Sequence, residues 1–274
     1  MNIQTHKSGT VRDYAPVNGL QMYYEIEGNG DPLVFIPPAL GSVGQKSFSD
    51  LTEKFSVITC DLQGHGRTID IPERPLSIEQ YAEDVVGLLR HLGIYKAHFF
   101  GESYGGAAAV MIALRYPDLV RRVATYGATF GPAQSAHNPA MLHFDSPPNA
   151  DCRCFQFQKE CYTEVAPNPD YWPKFWEKVS RIQWEGFSAA ELASIEAPVL
   201  VMVGDRDFVR IEHATETFRL MPHAELTVIP DAGHFALFSE PEKVIPAVRH
   251  FMEKPEKRPP VASAEMGYHP GETR

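Results

Sequence analysis

The hexapeptide Gly101-Glu102-Ser103-Tyr104-Gly105-Gly106 follows a short apolar run at 98–100 and precedes 107–115, a segment with helical spacing. A sharp turn between a strand and a helix exposes a serine hydroxyl on a strained backbone, and the residues two positions away on either side must be small to avoid collision. Gly101 and Gly105 meet that demand. An alcohol is a weak nucleophile at neutral pH, so Ser103 needs a base within hydrogen-bonding reach and a third group that orients the base. The chemistry would be attack on a carbonyl carbon through a covalent acyl intermediate.

His234 supplies the base. It sits in Asp231-Ala232-Gly233-His234-Phe235, after an apolar run ending at Ile229, where the chain leaves the carboxyl end of a parallel strand and ligands of such sheets bind. For the acid, Gly204-Asp205-Arg206-Asp207-Phe208-Val209 follows the run 199–203 and offers two carboxylates. Asp207 is the choice, because a residue three beyond the glycine bends back across the strand end toward the base. Asp205 would then cap the loop or pair with Arg206.

These residues hang from short β-branched and aromatic runs bounded by Gly, Pro or Asp, which predict strands at 21–27, 33–36, 56–60, 98–100, 120–125, 199–203 and 226–229. Between them lie helical stripes at 77–92, 107–115 and 244–252. In the first, Ser77 with Gln80 three residues on predicts a capping box. Strands that alternate with helices and read as continuous apolar runs predict a mostly parallel sheet covered on both faces, an α/β fold. The first two strand candidates, separated by Gly28-Asn29-Gly30-Asp31-Pro32, are expected to form an antiparallel hairpin at one edge. The alternation breaks at 131–193, which holds Trp172, Trp176 and Trp184, the chain's three tryptophans. This division predicts a core of 1–130 and 194–253, a lid insertion at 131–193 over a ligand pocket, and a flexible tail at 254–274, rich in Pro, Lys, Glu and Gly.

The order Ser103, Asp207, His234 on a Gly-x-Ser-x-Gly-Gly elbow resembles the α/β-hydrolase superfamily. So do Asp61-Leu62-Gln63-Gly64-His65-Gly66-Arg67-Thr68, Pro117-Asp118 and Gly204-x-x-Asp207, and together these matches span 21–252 apart from the insertion. The resemblance implies a roughly eight-stranded sheet and a Ser-His-Asp triad. It also implies an oxyanion hole of two backbone N–H groups, from Tyr104 after the nucleophile and from Ala39 in the loop after 33–36. Many relatives carry His-Gly before that small residue, whereas this chain has Pro37-Pro38, and proline has no N–H to donate. His65 is expected to be a hydrogen-bonded structural residue.

The formal net charge of -10 repels phosphate backbones and anionic headgroups, so neither nucleic acid nor a membrane is an expected partner, and no run of Lys or Arg marks a basic patch. Residues 1–20 lack the apolar stretch of a secretory signal, and no run reaches the ~18 apolar residues of a spanning helix, so the expectation is a cytoplasmic chain. Cys60 falls in a strand run and Cys152, Cys154 and Cys161 in a polar segment without a second Cys or His pair, a pattern of reduced thiols more than of a zinc site. No histidine spacing suggests a metal and no three-glycine loop a dinucleotide, so the expected chemistry is cofactor-free.

The reading is a serine hydrolase of an ester, thioester or lactone. Its small apolar or aromatic substrate would lie among Leu40, Phe130, Trp172, Phe175, Trp176, Phe208 and Phe235. Two alternatives stay open. A C–C bond hydrolase of the meta-cleavage-product type usually calls for a pocket arginine, and 131–170 holds only Arg153 and Lys159 as strong bases. A non-catalytic ligand receptor could keep all three triad residues. Epoxide and haloalkane hydrolysis on this fold use a carboxylate at the elbow, against which Ser103 argues.

Overall fold

A computed structural model describes residues 9–44, 48–139 and 153–255 of the chain. Eight strands form one sheet: β1 (Val11–Val17), β2 (Leu20–Glu27), β3 (Asp31–Ile36), β4 (Phe55–Cys60), β5 (Ala97–Glu102), β6 (Val120–Tyr126), β7 (Val199–Gly204) and β8 (Ala224–Ile229), in the spatial order β1-β2-β4-β3-β5-β6-β7-β8. From β4 to β8 in that order every pairing is parallel. The helices among the described residues are α1 (Ser49–Thr52), α2 (Ile78–His91), α3 (Tyr104–Arg115), α4 (Ala133–Ala136), α5 (Arg153–Val165), α6 (Trp172–Ser180), α7 (Ala189–Ala193), α8 (Ile211–Leu220), α9 (Ala236–Ser239) and α10 (Pro241–Met252).

The strand runs are apolar throughout because both faces are buried. Val34, Ile36, Ile58, Phe99, Val123, Val199 and Val201 pack on one side with α2 and α3, while Leu33, Phe35, Val57, Phe100, Ala124, Leu200 and Met202 pack on the other with α1, α9 and α10. Side chains alternate between faces at period two, so a sheet covered on both sides shows no polar alternation. In α2, Ser77 Oγ accepts from Gln80 N at 3.1 Å, but the Gln80 side chain donates to Asp84 instead of closing the expected box.

The predicted hairpin is not formed. β2 pairs antiparallel with β4, and β3 lies beyond β4. The true edge hairpin is β1 with β2, joined by Asn18-Gly19 at φ 48° and 85°. Two central residues with positive φ twist a two-residue loop to match the strands, and Asn-Gly is the favoured pair. Gly28 and Gly30 instead let the β2–β3 link press against the backbone of Thr52, Lys54 and Phe55, where a Cβ would collide with carbonyl oxygens.

Between β6 and β7 the chain carries α4 to α7. Its two stems cross at the core: Phe187 N donates to Phe130 O (2.9 Å), Trp184 Nε1 donates to Thr129 O (2.8 Å), and Gly186, at φ 87°, lies against Gly131. Tyr162, Trp172 and Phe175 pack together and meet the core through the edge of His65 (4.8 Å between the Phe175 and His65 centroids).

A charged clamp sits beside this apolar seam. Asp70, on the loop after β4, accepts from Lys178 Nζ at 2.8 Å, Tyr171 Oη at 2.5 Å and Gln63 Nε2 at 2.7 Å. Burial raises the Asp70 carboxyl, but these hydrogen bonds outweigh it and hold the group below the ordinary carboxylate range. Because the folded-state value is depressed, the stabilisation is present above the unfolded value of about 3.9 and is lost only as pH falls through the folded one. Asp70→Ala leaves the largely buried Lys178 ammonium unpaired, and urea unfolding at neutral pH is expected to show a loss of about 3 kcal/mol.

Candidate functional site

Ser103 follows the last residue of β5 and precedes the first of α3, with φ 53° and ψ −124°. That backbone conformation is unfavourable for a residue with a Cβ. It exists because the chain reverses so tightly that Gly101 touches the backbone of Gly105 and Gly106, while Gly105 touches the carbonyls of Ile36 and Pro37; a Cβ at either glycine would overlap those atoms. Gly106 in turn lies against Ala128 and Thr125. Small residues at 105–109, all buried, let α3 run flush with the sheet, and the buried Val110, Met111, Ile112 and Ala113 follow them.

An imidazole and a carboxylate arrive from the loops after β8 and β7. His234 Nδ1 lies 2.8 Å from Asp207 Oδ1, and the Asp207 side chain is fully buried. The same carboxylate oxygen accepts Val209 N at 2.9 Å, which fixes its rotamer. A carboxylate opposite Nδ1 places the imidazole proton there and leaves Nε2 as the acceptor. Gly127 brings the elbow and this pair together: Ser103 N donates to Tyr126 O (2.9 Å), and a Cβ on the next residue, Gly127, would stand 2.8 Å from His234 Nδ1 and 2.9 Å from Asp207 Oδ2.

Asp205 neither joins the pair nor binds Arg206. It accepts the Ala232 N–H at 3.3 Å, and backbone hydrogen bonds from Asp231 and Ala232 hold its carboxyl below the ordinary range. Arg206 pairs with Asp231 at 3.0 Å, both side chains largely in solvent. Asp205 thus braces the loop that carries His234.

The loop after β3 holds its prolines in trans. Gly41 N donates to Pro38 O at 2.9 Å, closing a turn, and since Ala39 N–H shares a peptide plane with that carbonyl it points away from Gly41. His65 is buried, with Nε2 2.8 Å from Ala39 O and Nδ1 2.9 Å from Gln63 O, so the neutral ring donates its proton to one of these carbonyls. Burial holds the imidazole below its ordinary range. Asp61, also buried, accepts Val43 N (2.6 Å) and Arg67 N (2.8 Å), stitching this loop to the one after β4. Tyr104 opens α3, where the first N–H groups have no partner within the helix.

The structure does not bring the apolar candidates together in one place. Phe208 lies against the His234 ring (3.8 Å between centroids), and Phe235 meets it edge-on at 5.7 Å while remaining 43% exposed. Phe175 and Trp172 are buried in the seam between the insertion and the core, with half-buried Trp176 beside Trp172. Phe130 packs on His213 and Phe187 at the insertion's stem, and Leu40 is half-buried next to Ala39. Cys152 and the side chain of Cys154 lie outside the described residues, Cys161 is half-buried on α5, and burial pushes the Cys60 thiol up. Among the described residues no group of three His, Cys, Asp or Glu could hold a metal ion, and no helix is long and apolar enough to cross a membrane.

Three positioning residues were not anticipated. Tyr126, besides holding Ser103 N, donates its phenol to Gly233 O at 2.5 Å, one residue before His234. His213 Nε2 accepts Phe130 N at 3.0 Å, pinning the insertion's first residues. His137 lies edge-on to Phe208 and within 3.1 Å of Thr129 Oγ1; burial and then the neighbouring His234 and His213 lower it to about 4. Tyr126–Gly233, His213–Phe130 and His137–Phe208 each join positions far apart in the chain, so no local pattern announces them.

Residues 33–247 match the sequence profile of the alpha/beta hydrolase family. A 2-(acetamidomethylene)succinate hydrolase of Mesorhizobium japonicum is 27% identical over 74% of this chain and 80% of its own. An sn-1-specific diacylglycerol lipase of Mus musculus is 28% identical over 72% and 71%. The structure of a 2-hydroxy-6-oxo-6-phenylhexa-2,4-dienoate hydrolase from Rhodococcus superposes with a TM-score of 0.76 at 20% identity, covering 90% of this chain and all of the other. The two carboxylates of the loop after β7 are expected to separate on substitution: in assays of kcat, Asp207→Asn loses about 10⁴-fold and Asp205→Asn less than about tenfold.

Proposed function

The chain belongs to the alpha/beta hydrolase family, and from that premise we propose that it is a cofactor-free serine hydrolase cleaving a carboxylic ester, thioester or lactone of a small apolar or aromatic substrate. The observation that carries this reading is a serine at φ 53° on a strand-to-helix elbow, joined through Tyr126 and Gly127 to a buried His234–Asp207 pair.

In the first step Ser103 Oγ attacks the carbonyl carbon while its proton passes to His234 Nε2. Asp207 accepts from Nδ1 and stabilises the imidazolium without taking the proton. The carbonyl oxygen gains the negative charge and is held by the N–H groups of Ala39 and Tyr104, each donor worth about 3 kcal/mol in the transition state. Collapse expels the alkoxide or thiolate, which takes the proton from His234, leaving an acyl-Ser103 ester. Water, deprotonated by His234, attacks that ester and releases the acid, restoring the serine. The α3 N-terminus adds to the field at the oxyanion.

The turn at Pro37-Pro38-Ala39 supports the donor role assigned to Ala39. Prolines need no partner for an N–H they lack, and the Gly41-to-Pro38 and His65-to-Ala39 contacts fix the peptide planes on either side of the Ala39 Cα, the first of which carries the Ala39 N–H. Preorganised donors cost no reorganisation at the moment of reaction. The insertion between β6 and β7 acts as the lid, with Phe208 and Phe235 forming the apolar wall closest to the imidazole.

Carbon–carbon cleavage of a vinylogous diketone remains the second reading, favoured by the likeness of fold to a hydrolase of that kind. Lys178, a cation of the insertion, is engaged with Asp70 and so is not available to a substrate carboxylate. A panel of short esters, aryl esters, lactones and a vinylogous diketone is expected to show turnover of an ester or lactone that falls by at least about 10³-fold in Ser103→Ala. Turnover of the diketone alone would move the assignment to carbon–carbon hydrolysis, and ligand binding with no turnover of any member would make the chain a receptor.

A further inference from the structure

At the amino end of the sheet, opposite the elbow, the loops entering β4, β5 and β6 and the end of α10 enclose a cleft of ≈ 660 Å³. Its lining carries five basic side chains, Lys54, Lys96, Arg121, Arg122 and Lys254, against two acidic ones, Asp31 and Glu253. In a chain of formal net charge -10 this is a local reversal of sign. No two of Lys54, Lys96 and Lys254 are near in sequence, so the fold gathers what the sequence scatters.

His98 lies in the wall of this cleft. It is only 5% exposed, and its Nδ1 has no hydrogen-bond partner among the described residues. A buried polar nitrogen left without a partner costs free energy unless something else satisfies it. Its ring meets Phe55 edge-on at 5.6 Å, and the charges that act on it are Arg121 and Arg122 on one side and Asp31 on the other. Burial and then the two guanidinium groups lower it to about 4, so at neutral pH the ring is uncharged. Lys254 is likewise lowered, by burial and then by Arg122.

Part of the positive charge is already committed. Arg122 donates to the carbonyls of Lys254 (2.9 Å) and Pro255 (2.8 Å), which fixes it as a rigid wall. Lys254 pairs with Glu225 at 2.5 Å, and Arg121 lies 3.8 Å from Asp31, a loose contact with the carboxylate more than half exposed. Lys54 and Lys96 are exposed at the rim and form no ion pair among the described residues.

We propose that this cleft is a binding site for a small multivalent oxyanion, a phosphoryl or pyrophosphoryl group, with Lys54, Lys96 and Arg121 as the charge partners and the buried His98 ring as part of the wall beneath them. A surplus of positive over negative groups in one cleft is matched by a ligand bearing two or more negative charges, whereas a single carboxylate leaves part of it unpaired. The volume exceeds that of the anion itself and lies in the range of small-molecule sites, so a phosphorylated metabolite fits better than a flat surface of headgroups. β5 carries His98 near one end and leads directly into Ser103 at the other, roughly 17 Å away, so the site is separate from the catalytic one.

The test titrates the full-length chain with pyrophosphate at neutral pH, by calorimetry and by the imidazole C–H resonances, with the His98 signal identified by its loss in His98→Gln. Saturable binding that shifts the His98 resonance, is unchanged in Ser103→Ala, and weakens about tenfold or more in Lys54→Gln/Lys96→Gln supports the site. Both lysines are on the surface, so that double variant remains informative if His98→Gln fails to fold. Absence of saturable binding, an unmoved His98 resonance, or equal affinity in the double variant would overturn it. So would binding to phosphatidylglycerol vesicles without binding to soluble pyrophosphate, which would make the patch a membrane contact.

Discussion

Residue 103 cannot relax. Its backbone sits at φ 53° because the strand before it and the helix after it are in van der Waals contact through Gly101 and Gly105, and Gly105 is itself pressed onto the carbonyls that end β3. Holding a residue with a side chain in such a region costs of order 1–3 kcal/mol, which the packing of β5 and α3 against their neighbours must offset. The gain is positional: Ser103 stands at the sheet's carboxyl edge, and the following N–H is presented as the first of a helix.

Everything else at the site is arranged relative to that fixed point. β5 lies in the middle of the sheet, with β3 on one side and β6, β7 and β8 on the other, so loops after these strands converge above it. Tyr126 couples two of them, holding Ser103 by its carbonyl and the His234 loop by its phenol. Asp205 and Asp207, two residues apart, divide the labour: one braces the backbone before His234, the other holds its ring. The insertion is anchored by the Asp70 clamp and by stems crossed at Phe130 and Phe187. Its position is therefore set from the core and does not depend on its own packing alone.

The elbow was legible in the sequence because its requirements are local: two glycines, a serine and a switch from strand to helix within a dozen residues. The meeting of Asp207 with His234 was legible because each follows an apolar run that ends in a turn. Pairing at the sheet edge was not. The link 28–32 has the composition of a hairpin turn, yet its glycines serve a close approach to the residues before β4, and the Asn18-Gly19 signal lay next to a strand, Val11–Val17, too polar on its outer face to stand out. Tyr126, His137 and His213 act through contacts across the fold, and the basic cleft gathers single residues from separate loops. Neither leaves a trace in composition or spacing.

The central claim is that Ser103 is made nucleophilic by His234 and Asp207. Intact-protein and peptide mass spectrometry after exposure to an alkyl fluorophosphonate tests it most directly, since the reagent is attacked only by an activated hydroxyl. The expected result is a single adduct per chain on the peptide bearing Ser103, with the adduct lost in His234→Ala while that variant remains folded. Labelling of another residue, or equal labelling with and without the imidazole, would contradict the account.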